Sequence, residues 1–141
     1  MKSKVLASIP ITVASVLIFT LLTLIGGKGI FEHILGSVTL ASGDQWHVRL
    51  SDLFEVTSVV LLFVEMMRTS SNRSSSAIFN HLLSMVLFVI ALLEFLLIPD
   101  FATSTFFLLL SFLLLDVVAG FAITLTPPRP KPKPRPHSPH A

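Results

Sequence analysis

Residues 77–125, AIFNHLLSMVLFVIALLEFLLIPDFATSTFFLLLSFLLLDVVAGFAITL, decide the fold. They hold two apolar runs, 77–98 and 101–125, each at least as long as the roughly 20 residues of helix that cross about 30 Å of hydrocarbon. Only Pro99-Asp100 stands between them, so the two predicted helices turn back on each other and lie antiparallel. Working outward, residues 69–76 form a short polar link, and before it comes a third apolar run, 51–67. This run is the shortest. It carries Asp52 and Glu55 at its start and Glu65 near its end, so it requires tilt or snorkelling at both ends. The first run, 5–25, follows Lys2 and Lys4. A secretory signal peptide has a shorter apolar core and a small-residue cleavage site. Leu24-Ile25-Gly26-Gly27-Lys28 offers no such site, so this run is read as a retained anchor.

Composition agrees with a chain dissolved in lipid. Hydrophobic residues make up 52% of the sequence and mean hydropathy is +0.84, above the roughly 45–50% apolar usage of soluble domains. The absence of cysteine excludes disulfides, thiolate metal sites and cysteine nucleophiles. The net charge of +2 comes mainly from the N-terminus and the last dozen residues, not from a folded face, so no nucleic-acid partner is expected. The expected fold is all-α, a polytopic four-helix transmembrane bundle over residues 1–125, with helices at about 5–25, 51–67, 77–98 and 101–125. Residues 126–141 read as a disordered, basic, proline-rich tail, because prolines at alternate positions forbid helix and sheet ladders.

Orientation follows from the basic residues. With four crossings both termini share a side, which then holds Lys2, Lys4, Arg68, Arg73 and the basic tail, against Lys28 and Arg49 opposite. The positive-inside rule makes both termini cytoplasmic. The outer loop, 26–50, reads as a short amphipathic piece over 30–35 and then a hairpin turning at Ser42-Gly43-Asp44-Gln45. Trp46 and Phe31 are expected as interface anchors.

Ionisable side chains inside a membrane are costly and are functional candidates by default. Glu55 and Glu94 each lie four residues inside the outer ends of their helices and form, with Asp52 and Asp100, an outer acidic layer. On the cytoplasmic side Glu65 and His81 are placed to pair. Asp116 lies about 14 Å from the cytoplasmic end of its helix and is the strongest single candidate. Helical spacing puts Asn80, Ser84, Leu87, Ala91 and Glu94 on one stripe, Ser8, Thr12, Ser15, Phe19 and Leu22 on another, and Thr105, Phe112, Asp116, Ala119 and Gly120 on a third. Such stripes belong inside, where buried acids either pin helix packing through hydrogen bonds or carry protons or cations. His33, His47, Glu32 and Asp44 lack the tight spacing of a metal site, and no phosphate loop, HExxH pattern or Gly-x-Ser-x-Gly elbow occurs. No cofactor, metal or catalytic residue is expected.

The order of features resembles the phosphate-starvation-inducible E family of small bacterial inner-membrane proteins. The resemblance is carried by Gly27-Lys28-Gly29 opening the outer loop, Phe63-Val64-Glu65 closing the second helix, the short polar link, and one charged residue near the outer end of the third helix, here Glu94 where the family typically has arginine. It implies a bacterial inner-membrane location. The expected function is a non-enzymatic membrane protein, envelope- or stress-related, acting through a membrane-protein partner or as a homo-oligomer. The alternative is a small oligomeric proton- or cation-coupled transporter using Asp116 and Glu94.

Overall fold

In the computed structural model residues 11–71 and 75–125 are described, and they are mostly helical. Four long helices occur among them: α1 (Thr12–Gly26), α2 (Leu50–Ser71), α3 (Ser75–Leu97) and α4 (Ser104–Leu125). The all-α expectation fits, with one β-hairpin added between α1 and α2. The expected start of the first helix at 5–10, part of the polar link at 72–74 and the tail at 126–141 lie outside the described residues. Two stretches, Phe79–Leu97 and Ser104–Ala122, are long and apolar enough to cross a membrane. The described part of α1 is apolar but spans 15 residues, and α2 carries Asp52, Glu55, Glu65 and Arg68 within its 22.

Local chemistry sets the boundaries. The backbone N–H of Gly27, at φ 68°, donates to the Thr23 carbonyl at 2.8 Å and closes α1, a left-handed conformation that favours glycine. A 3-10 turn (Lys28–Glu32) follows and leads into β1 (Ile34–Thr39), so the amphipathic piece expected over 30–35 is half turn and half strand. β1 pairs antiparallel with β2 (Gln45–Arg49) across a loop in which Gly43, at φ 89°, supplies the positive backbone angle that a short hairpin loop needs. β2 passes directly into α2, whose Asp52 reaches back to accept the Arg49 N–H at 2.8 Å. α2 continues past the expected 67 to Ser71, since nothing in Arg68-Thr69-Ser70-Ser71 breaks a helix. The fourth helix begins at Ser104, later than 101, because Pro99–Phe101 forms a 3-10 turn and Thr103 caps α4 by accepting the Phe106 N–H at 3.2 Å.

The helices alternate in direction, as the contacts at each end require. At one end the start of α1, the last third of α2, the start of α3 and the second half of α4 meet in a polar layer. At the other, Phe19 sits fully buried among Phe31, Phe54, Phe101 and Phe106. Phe31 stacks on Phe19 with ring centroids 4.4 Å apart and planes 6° from parallel, and meets Phe54 edge-on at 5.3 Å. That corrects one expectation: Phe31 is a core residue and no interface anchor, because the 3-10 turn folds it back under the loop.

The outer surface is largely apolar, and polar side chains share the interior with the apolar core. Leu17, Leu21 and Leu24 of α1, Val56 and Phe63 of α2, Val86, Val89 and Leu96 of α3, and Phe107, Leu115 and Val118 of α4 are all more than half exposed. Thr12, Ser15, Ser58, Glu65, His81, Ser84 and Asp116 are buried.

Candidate functional site

The polar layer draws on all four helices. Asp116 of α4 accepts hydrogen bonds through Oδ2 from Ser84 Oγ of α3 at 2.8 Å and from Thr12 Oγ1 of α1 at 3.4 Å. Glu65 of α2, 1% exposed, accepts through Oε1 from the Asn80 amide of α3 at 2.8 Å and through Oε2 from the Ile11 backbone N–H at 2.7 Å. Ile11 stands at the start of α1, where the first N–H groups have no partner within their own helix, so a carboxylate from another helix satisfies a donor that would otherwise be stranded. The two acids thus tie α1 to α2, α3 and α4.

His81 lies beside them and is joined to neither. Its ring is buried and meets Phe121 edge-on at 4.5 Å, and neither Nδ1 nor Nε2 has a hydrogen-bond partner among the described residues. The expected Glu65–His81 pair does not form: Glu65 takes Asn80, the residue before His81, and one residue of helix turns a side chain by about 100°. Gly120 of α4 makes room for the imidazole, since a Cβ there would overlap His81 Nδ1. His81, Asn80, Ser84, Asp116, Met66 and Ala119 line a cavity of about 10 Å³, near the lower limit that holds one water.

The other acids lie elsewhere. Glu94 is ten residues beyond Ser84 on α3, about 15 Å along the helix. It faces the outward apolar side chains Ile90, Leu93, Leu97 and Ile98, and its Oε2 has no hydrogen-bond partner among the described residues. Glu55 is half-buried on α2 beside Thr105. Asp52 caps α2. Of the expected outer acidic layer, Asp52 and Glu55 neighbour each other on α2, Glu94 lies among apolar side chains of α3, and Asp100 sits in the 3-10 turn before α4. Among the described residues, no three His, Asp or Glu side chains converge as metal ligands would. Glu32 pairs with Arg49 at 3.0 Å on the surface.

The sequence stripes placed Thr12, Ser84 and Asp116 on inward faces without assigning them to one another, and they missed Asn80 as the partner of Glu65. The available signal was the i, i+4 spacing of Asn80 and Ser84, which presents two polar groups to one side of α3. Comparison of the chain with protein-family models, curated proteins and solved structures finds no match.

Proposed function

We propose that the chain is a four-helix transmembrane bundle with both termini cytoplasmic, a non-enzymatic protein of the cell membrane that acts through membrane-protein partners or self-association. One observation carries the reading: large apolar side chains cover the outer faces of all four helices, while Thr12, Ser15, Ser58, Glu65, His81, Ser84 and Asp116 are buried between them. In water such a surface is an aggregation liability, whereas in lipid it is the solvated one. Interhelical hydrogen bonds from Ser, Thr and acidic side chains are the usual means by which membrane helices hold their packing, and Glu65 and Asp116 supply them here. The resemblance noted above points the same protein towards a bacterial inner membrane and an envelope- or stress-related role. Single cysteines at Ser42, Ser71 and Ser138 of the cysteine-free chain test the topology. An impermeant maleimide is expected to label intact cells only at Ser42, and labelling at Ser138 would refute the orientation.

A second reading, a small proton- or cation-coupled transporter, is favoured by His81, whose two nitrogens have no hydrogen-bond partner among the described residues and adjoin the cavity that Asp116 also lines. Asp116→Asn separates the two. If Asp116 only pins helices, folding and phenotype survive the change. An Asn variant that folds normally yet loses proton- or cation-dependent flux in vesicles moves the protein into the transporter class.

A further inference from the structure

Beyond the irregularity between Ile34 and Gly36, at which Ile34 opposes Arg49, the register of the hairpin separates its side chains by polarity. Gly36 opposes Val48, Ser37 opposes His47, Val38 opposes Trp46 and Thr39 opposes Gln45. Opposed residues share a face and successive residues alternate. One face therefore carries Val38, Trp46 and Val48, and the other Ser37, Thr39, Gln45 and His47. Among the described residues the apolar face is open towards its tip, where Val38 is 51% exposed and Trp46 49%, while Val48 near the base is half-buried. A lone two-stranded hairpin is marginal in water, and an uncovered apolar side makes it more so.

The base of the hairpin is fixed at the aromatic end of the helices. β2 runs into α2 without an intervening residue, and the Leu50 N–H donates to the His33 carbonyl at 2.9 Å. At that end Leu24, Ile25, Leu53 and Leu97 are each 55–75% exposed, so the apolar surface of the helices reaches the point where the hairpin leaves them. Trp46 lies four residues from the start of α2, about 13 Å along a strand. The headgroup layer beside the hydrocarbon is roughly 5–7 Å thick. A hairpin standing upright would carry Trp46 through that layer into water. Laid against the bilayer, it keeps Trp46 and Val38 at the depth where aromatic belts sit.

We propose that the hairpin is a lipid-binding element, lying on the outer membrane–water interface with its Val38–Trp46–Val48 face towards the acyl chains and its Ser37–Thr39–Gln45–His47 face towards water. The inference rests on the membrane reading above. It makes the loop a second attachment to the bilayer, independent of the helices.

The chain has one tryptophan and no tyrosine, so the emission of the unaltered protein reports on Trp46 alone. The full chain is reconstituted in phosphatidylcholine vesicles, recovered by flotation, and quenched either by phosphatidylcholine brominated along its acyl chains or by iodide present on both sides of the membrane. Bromines near the glycerol end are expected to quench Trp46 severalfold more than bromines near the chain terminus, and iodide severalfold less than it quenches free N-acetyltryptophanamide. Protein that floats with the vesicles while iodide quenches Trp46 as freely as the model compound, and bromine spares it, overturns the hairpin proposal and leaves the membrane reading intact. Trp46 shielded from both quenchers means burial against a second copy and overturns it equally. Protein that does not float overturns the membrane reading itself. Single cysteines in the same vesicles check the faces: Ser37→Cys is expected to react with a water-soluble maleimide severalfold faster than Val38→Cys, and equal rates contradict the proposed orientation.

Discussion

Asp116 is the point at which α1, α3 and α4 are joined, and truncating it tests whether that junction matters. Asp116→Ala removes the acceptor for Ser84 Oγ and Thr12 Oγ1, both nearly fully buried. Interhelical hydrogen bonds in membrane proteins average about 0.6 kcal/mol and reach about 1.7, so losing two costs roughly 1–3 kcal/mol. The 2.8 Å bond from Ser84 contributes the larger share and the 3.4 Å bond from Thr12 the smaller. The loss is capped because a helical Ser or Thr hydroxyl can turn back to the carbonyl four residues earlier. Asp116→Asn keeps one side-chain oxygen in place for Ser84, and its cost is expected below about 1 kcal/mol. Reversible unfolding in mixed micelles, with the denaturing detergent fraction raised stepwise and helicity followed by circular dichroism, measures both. An Ala variant within about 0.3 kcal/mol of the parent, or an Asn variant as damaged as Ala, would refute the assignment of Asp116 to helix pinning.

Glu65→Ala strands the Ile11 N–H and the Asn80 amide, and a cost of about 1–3 kcal/mol is expected in the same unfolding assay. Glu65→Gln should recover most of it, because the Asn80 amide can rotate to accept from the new –NH₂ while the Gln carbonyl keeps the Ile11 N–H. Gly120→Ala puts a methyl group where His81 sits, and a loss of about 1–3 kcal/mol is expected, with rescue by His81→Ala in the double variant. Phe19→Ala empties the middle of the five-ring cluster, and about 3–5 kcal/mol should be lost, more than for any of the polar substitutions.

Axial position was legible in the sequence only in part, and azimuthal pairing was not. Counting residues from helix ends placed Glu65 and His81 together near the cytoplasmic ends and Asp116 deeper, about 14 Å in, whereas the structure puts all three in one layer. Counting cannot say which of two adjacent residues faces a given neighbour, and on α3 it is Asn80, not His81, that meets Glu65. The stripe of Thr12, Ser15 and Phe19 was readable because a helix faces its core every three or four residues. Phe31 was not, since a five-residue 3-10 turn is too short to show a period. The hairpin turn at Ser42-Gly43-Asp44 was visible from its residues, whereas the extension of α2 to Ser71 was hidden by a polar composition that suits loop and helix end alike.

The reading of the apolar outer surface as lipid-facing is tested most directly by the accessibility of spin labels along α4 in reconstituted vesicles. Single cysteines replace Leu115 and Val118, which are 54% and 55% exposed, and Leu113, which is 1% exposed. Labels at 115 and 118 are expected to collide readily with dissolved oxygen, which concentrates in lipid, and rarely with a water-soluble nickel chelate, while a label at 113 is expected to collide little with either. Frequent nickel collisions at 115 and 118 would mean that this apolar face meets water, which contradicts the membrane reading.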